Sequence, residues 1–255
     1  MNFRDAPSPR LFGHRGASGR FPENTLRSFR AAVDEGATHL ELDVHMSADG
    51  EVFVHHDATL DRTTDGHGEA RRLPWAELVK LDAGCKGPRE PRQRERIPRL
   101  SEILEAFPEV PLNVEVKQPD PPMVEAFFGV LDRYAARDRV LVAAENHDIM
   151  LAIRAFAPDQ ITGFSSREVL GFILEGSSPA YRPPGFALQV PEQFDGMPIV
   201  TPAFLERAKR LDVEVHVWTV NDRADAERLL DLGVDGIMSD LPGDLAPALA
   251  ARRRA

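Results

Sequence analysis

HLELDVHMSADGEVFVHH, residues 39–56, holds two strand-like runs, HLELDV (39–44) and EVFVHH (51–56), and only about seven residues, HMSADGE (45–51), carry the chain from the first into the second. A gap that short carries no helix. Its Asp49-Gly50 pair suits a hairpin turn, which makes the two runs antiparallel. Yet seven extended residues reach roughly 23 Å, enough to return to the starting level and leave the runs parallel. The ionisable strand ends described below favour the parallel arrangement, because it sets His56 beside Glu41 and Asp43.

Outward from this stretch, short β-rich runs alternate with helical patterns. The other candidate strands are RLFGH (10–14), PLNVEVK (111–117), RVLVAA (139–144), QITGFS (160–165), FALQV (186–190), VEVHVWTV (213–220) and DGIMS (235–239). Helical periodicity covers 24–36, 122–136, 146–157, 166–175, 202–211 and 222–232; the first of these opens at PENT, a capping-type start with Pro22 and Glu23. This alternation, with no linker-like break across 1–255, predicts one α/β unit, a (β/α)8 TIM barrel that is irregular between its second and third strands. A doubly wound open sheet is the rival, but no glycine-rich dinucleotide fingerprint supports it. Nine candidate strands exceed the eight staves of a barrel, and FALQV is the first suspect for removal. Residues 84–99, rich in Pro and Arg, read as a loop: either a solvated excursion or a basic lid that gathers an anionic substrate.

The chain has 255 residues and a formal net charge of −10, which disfavours nucleic acid as a partner. One cysteine, Cys85, allows no intrachain disulfide and suits a reducing compartment. The N-terminus shows no apolar core of signal-peptide length, and no run approaches the roughly 20 apolar residues that span a bilayer. A cytoplasmic protein without stable membrane insertion is expected.

Charge gathers at one end of the strands. The first ends at His14-Arg15, the second at Glu41 and Asp43, the third at His55-His56-Asp57, the fourth at Glu115 and Lys117. In a parallel barrel that end is where active sites lie. Side chains alternate faces along a strand, so Glu41 and Asp43 oppose Leu40, Leu42 and Val44, while Asn113, Glu115 and Lys117 oppose Leu112, Val114 and Val116. The aliphatic faces suit packing on helices, and the polar faces then point into the barrel mouth. Three converging carboxylates repel one another, which a divalent cation relieves; an all-oxygen set suits Mg2+, Ca2+ or Mn2+. Salt bridges from Glu41 and Glu115 to Arg15 and Lys117 are the alternative. Arg15 can grip a phosphate bidentately and Lys117 can add a point charge. His14 and either His55 or His56, which parity does not separate, can serve as general base and acid. The parts add up to metal-assisted phosphoester cleavage. His39, His45, His67 and His147 read as structural or surface residues. His216 and Trp218 share a face, so one of them can line the pocket, with Trp218 as an apolar substrate wall.

HRGASGRFPENT, ELDVHMSADGEVFVHHD, LDRTTDG, LDAG, VEVK, VWTVN and GVDGIMSD, in that order from about residue 11 to residue 241, resemble the motifs of the glycerophosphodiester phosphodiesterases. The resemblance implies a (β/α)8 barrel that uses Mg2+ or Ca2+ to hydrolyse a small glycerophosphodiester to sn-glycerol 3-phosphate and an alcohol. It implies His14 and His56, the latter directly before Asp57, as the catalytic pair. It implies Glu41, Asp43 and Glu115 as metal ligands, with Arg15 and Lys117 on the phosphate. The implied route, similar to that of the phosphatidylinositol-specific phospholipases C, attacks with the glycerol 2-hydroxyl, forms a cyclic phosphate and opens it with water. His14 then acts first as base and His56 as acid. The resemblance places a variable insertion at about 58–99. Competing expectations are a lysophospholipase D-type hydrolase and a non-catalytic phosphate-ligand barrel; the latter would lack a catalytic group, and none is missing.

Overall fold

The structure is a computed structural model that describes residues 2–87 and 93–253. In chain order its main elements are β1 (Arg10–His14), α1 (Leu26–Asp34), β2 (His39–Met46), β3 (Val52–Val54), α2 (Trp75–Leu78), α3 (Leu100–Ala106), β4 (Leu112–Val116), α4 (Val124–Arg133), β5 (Val140–Ala143) and α5 (His147–Phe156). There follow α6 (Ser166–Glu175), β6 (Ala187–Pro191), β7 (Gln193–Phe194), β8 (Met197–Pro198), α7 (Pro202–Arg210), β9 (Glu214–Trp218), α8 (Arg223–Leu232), β10 (Gly236–Ser239) and α9 (Pro242–Ala250).

Seven strands pair in the order β5-β4-β2-β1-β10-β9-β6, all parallel. The eighth position is filled by single parallel bridges, Val142 to Thr162 and Gly163 to Ala187, which join β5 to β6 and close the barrel. QITGFS is therefore a stave reduced to two bridges. FALQV is a full stave, β6, against the expectation that it was the surplus strand. The surplus strand is EVFVHH: β3 pairs β2 antiparallel, with Val44 opposite Val54 and Met46 opposite Val52. The parallel expectation is overturned by local turn chemistry. Gly50 sits at φ 89°, a backbone region glycine enters without strain, and its N–H donates to the Ser47 carbonyl. The turn reverses the chain before seven residues can run back down the barrel.

Leu40, Leu42, Val44, Leu112, Val114 and Val116 form the outer wall of one half and bury against Phe29, Phe127, Phe128 and Ile153. Each such side chain stabilises the fold by about 1.5–3 kcal/mol. A second cluster, including Leu188, Val215, Val217, Phe204 and Leu229, does the same on the other half. Helix α1 starts later than expected. Thr25 is its N-cap, accepting from the Ser28 N–H, so Pro22, Glu23 and Asn24 form an entry loop, and Asn24 takes a left-handed φ of 57°.

Candidate active site

β2 runs on past the barrel mouth to Met46, and the hairpin brings β3 back down beside it. The His55 N–H donates to the Asp43 carbonyl at 2.9 Å, which returns the chain to mouth level. An antiparallel β3 thus delivers His56 beside Asp43 as well as a parallel one would. The Nε2 of His55 bonds the Thr59 carbonyl at 3.0 Å, so its ring serves its own loop, and His56 lines the cavity.

That cavity, of about 190 Å3, collects all the residues singled out from the sequence: His14, Arg15, Glu41, Asp43, His56, Glu115, Lys117 and Trp218. Asn113 and Gln189 join them, bonded to each other at 2.9 Å, with apolar Phe164 and Val169 from the arc beyond β5. Glu41, Asp43 and Glu115 bring one oxygen each to within 4.8 Å of one another. Two cations face them. Lys117 Nζ lies 2.9 Å from Glu115 and 3.4 Å from Asp43, and Arg15 Nε lies 3.5 Å from Asp43.

Partners, not burial alone, sort the three carboxyls. Burial opposes ionisation of Asp43, yet Lys117 and Arg15 outweigh it and hold its carboxyl below the usual range. Burial and then the charge of Asp43 push Glu41 up to about 7. Burial also raises Glu115 against the pull of Lys117. Of the salt bridges foreseen as an alternative, Lys117 to Glu115 exists, but Arg15 pairs with Asp43 instead of Glu41, and Glu41 keeps only the Arg15 N–H at 3.0 Å and His14 Nε2 at 4.0 Å. Three oxygens this close, one on a carboxyl that resists ionisation, fit a hard divalent cation.

Backbone geometry fixes Arg15 against Glu41. Arg15 adopts φ 57° and Gly16 φ 88°, and the Arg15 N–H donates to Glu41 Oε2 at 3.0 Å. A side chain on Gly16 would strike Ser28 of α1, so the glycine lets β1 turn tightly under the helix.

Each cavity histidine is held by an aspartate. His14 Nδ1 lies 2.7 Å from Asp240 Oδ1, and Asp240 also accepts from Ser18 and Asn221. Burial raises the Asp240 carboxyl, but its bonds to His14 and Asn221 outweigh that and bring it to about 2. It is ionised and accepts only, so His14 Nδ1 carries the proton, while Nε2 lies 4.0 Å from Glu41 Oε2, beyond hydrogen-bond distance. Burial opposes charge on His14, yet Asp240 and Glu41 raise its pKa overall. His56 Nδ1 likewise lies 2.6 Å from Asp57 Oδ1, and Arg62 grips Asp57 through both of its oxygens. Asp57, Arg62 and Asp240 were not foreseen. The same strand-end reasoning applied to GIMSD would have found Asp240, and Asp57 adjoins His56 in HHD.

The remaining histidines divide as expected, with one addition. His39 and His216 are buried at the opposite end of the barrel, His67 is exposed, and His147 opens α5 bonded to Ser165. His45 Nε2 bonds the His56 carbonyl at 3.1 Å and so supports the site's backbone. Trp218, 43% exposed, is the pocket wall, and His216 is not. In the arginine-rich loop, residues 88–92 lie outside the described residues. Its described cations turn to their own chain: Lys86 to the Asp61 carbonyl, Arg94 to the Lys80 carbonyl, Arg96 to Glu102, and Arg99 onto the Trp75 ring. None of these lines the cavity.

Comparison with known proteins gives the family. The sequence profile of the Glycerophosphoryl diester phosphodiesterase family matches residues 14–244. A glycerophosphodiester phosphodiesterase of Caldanaerobacter subterraneus is 34% identical, over 92% of this chain and 95% of its own. A mouse lysophospholipase D is 28% identical over 92% of this chain and 84% of its own. Among solved structures, an Oleispira antarctica phosphodiesterase in complex with the product sn-glycerol-3-phosphate is 30% identical, with a TM-score of 0.81, over 94% of this chain and 96% of its own. By sequence and by fold, the chain belongs to the glycerophosphoryl diester phosphodiesterase family, as a phosphoric diester hydrolase.

Proposed function

We propose that the protein hydrolyses a small glycerophosphodiester to sn-glycerol 3-phosphate and an alcohol, with His14 and His56 moving protons. Arg15 and Lys117 hold the phosphate, and Glu41, Asp43 and Glu115 hold one divalent cation, Mg2+ or Ca2+, with Mn2+ also accommodated. One observation carries this reading. Two histidines line one cavity, each with Nδ1 tied to an aspartate and Nε2 left to act. Such a pair removes one proton and supplies another.

His14 Nε2 takes the proton of the glycerol 2-hydroxyl as its oxygen attacks phosphorus. His56 Nε2 gives a proton to the departing alcohol oxygen. The product of this step is a cyclic glycerol phosphate. Water then attacks with the roles reversed: His56 takes a proton from water, and His14 returns one to the 2-oxygen. Once all three carboxyls are ionised they outnumber the nearby cations three to two, and a phosphodiester anion entering unaided would be repelled. A bound cation supplies the missing positive charge. Phe164, Val169 and Trp218 offer the alcohol portion an apolar wall.

The test is a panel of glycerophosphodiesters (choline, ethanolamine, glycerol, inositol) with Mg2+, Ca2+ or Mn2+, reading glycerol 3-phosphate release. Release from at least one member, abolished by chelation and restored by metal, is expected. No release from any member overturns the reading.

A second reading has its own observation. The short hairpin β7–β8 leaves β6 next to Trp218, whose register partner is Pro191, and exposes Phe194 (66%) and Met197 (61%). Apolar side chains beside the pocket wall suit a lysophospholipid. No helix among the described residues is long and apolar enough to cross a membrane. Faster release from a lysophospholipid than from any water-soluble diester would favour this second substrate.

A further inference from the structure

His56 stands on a loop after β3, not on a barrel stave, so the barrel wall does not fix its ring. The ring is fixed from outside. Asp57 Oδ1 accepts from its Nδ1–H at 2.6 Å. Arg62 holds Asp57 by two contacts, Nε to Oδ2 at 2.6 Å and Nη2 to Oδ1 at 3.0 Å. The remaining edge of the same guanidinium holds Glu23, Nη1 to Oε2 at 2.7 Å and Nη2 to Oε1 at 2.8 Å. Glu23 Oε1 accepts in turn from Arg15 Nη1 at 3.1 Å. A continuous strap of ionic contacts therefore runs from one cavity histidine to the cavity arginine, with Arg62 at its centre.

We propose that Arg62 is a positioning residue: through Asp57 and Glu23 it fixes the His56 ring relative to Arg15. The proposal rests on the catalytic reading given above. An isolated exposed ion pair contributes little, about 0–1 kcal/mol, and sets no geometry. Here a rigid planar fork spans two carboxylates, each bound to a different cavity residue, which is a geometric constraint. The ammonium of a lysine carries the charge but cannot reproduce two forks at once. Arg62 belongs to the LDRTTDG segment, whose role the barrel itself leaves unexplained.

Steady-state kinetics on glycerophosphocholine, and on a nitrophenyl diester of glycerol phosphate for slow variants, test this. The proteins needed are wild type, Arg62→Ala, Arg62→Lys, His56→Ala and the double variant His56→Ala/Arg62→Ala. Arg62→Ala is expected to lower kcat about tenfold to hundredfold with little change in KM or melting temperature. Arg62→Lys is expected to recover part of the loss. In the His56→Ala background, removing Arg62 is expected to cost less than about twofold, because the ring it positions is gone. A wild-type kcat in Arg62→Ala overturns the proposal. So does an equal loss in both backgrounds, the mark of a merely structural residue, or a rise in KM alone, which confines the effect to Arg15. If Arg62→Ala does not fold, Arg62→Lys in the two backgrounds carries the same comparison. If wild type releases no glycerol phosphate, the catalytic reading fails first, and the two failures are told apart.

Discussion

β1 carries Arg10 near one end and His14 at the other; β2 carries His39 and then Glu41 and Asp43; β9 carries Glu214 and His216 and then Trp218. Three staves thus build two inward-facing ionisable clusters, one at the barrel floor and one at its mouth. At the floor, Arg10 meets both oxygens of Glu214 at 2.8 Å, the Phe3 and Ala6 carbonyls at 3.0 Å, and His39 Nε2 at 3.2 Å. His216 completes the set with a 2.8 Å bond to Glu214. Burial opposes ionisation of Glu214, but Arg10 and His216 outweigh it and hold its carboxyl at about 2. At the mouth, burial and then the charge of Asp43 push Glu41 up to about 7. Desolvation acts on both glutamates, and the partner reverses the outcome. The floor is neutralised and closed over by the N-terminal segment, whereas the mouth keeps uncompensated negative charge and two free imidazole nitrogens. Carboxyls that no arginine side chain fully offsets, on top of deep burial, distinguish the functional end.

The largest effects should separate the ends cleanly. His14→Ala and His56→Ala are each expected to lower kcat by about 10²–10⁴ while the unfolding midpoint barely moves. Near-normal turnover in either variant would remove that residue from the reaction. Arg10→Ala should do the reverse. It strands Glu214 at the floor and is expected to cost about 3–5 kcal/mol of stability in urea unfolding, with kcat per folded molecule unchanged. A collapse of kcat in folded Arg10→Ala would show that the ends are coupled.

A smaller effect tests how the mouth is tuned. Asp240→Asn keeps a group of the same shape but loses the charge that fixes the His14 tautomer. A loss of about tenfold to hundredfold in kcat, with KM nearly constant, is expected. An unchanged kcat would mean that Ser18 and Asn221 hold the loop well enough without that carboxylate.

What the sequence discloses follows the same division. Period-two alternation on β2 and β4 puts Glu41, Asp43 and Glu115 on one face, since a strand has two faces and the aliphatic one is claimed by helices. Strand-end charge marks His14, Arg15 and Lys117 for the same reason. What alternation does not show is direction: EVFVHH alternates as well in a hairpin as in a stave, so the pattern alone counts β3 among the staves and makes FALQV look surplus. Glu23 and Arg62 lie on loops, 39 positions apart, and meet only because the entry to α1 and the LDRTTDG segment fold over the same mouth. No local pattern encodes such a pairing. The floor cluster is hidden differently, because a histidine on an inner face reads alike at either end of a barrel.

The smallest effect concerns the floor under acid. Arg10 donates to His39 Nε2, so Nδ1 carries the His39 proton and bonds Thr38 at 2.8 Å; the ring is neutral, and burial together with Arg10 holds its pKa well below 6.5. His45, down to about 4, and His55 are lowered by burial too, while His14 is raised. A lowered histidine contributes stability that is fully present above its unfolded value near 6.5 and is lost as pH falls toward its folded value. A raised one works in the opposite sense. The three lowered histidines make the unfolded state bind more protons between about pH 6.5 and 5, whereas His14, Glu41 and Glu115, all raised in the folded protein, work the other way. The share of each lowered histidine is a fall in unfolding free energy of up to about 1.4 kcal/mol per pH unit across that window. His39→Gln retains an acceptor for Arg10 but has no proton to gain, so its unfolding free energy should lack that share and fall less than wild type's as pH drops from about 6.5 to 5, with kcat at pH 7.5 unchanged. A slope equal to wild type would show that the floor takes no part in acid sensitivity and would shift it to His45 and His55, beside the mouth.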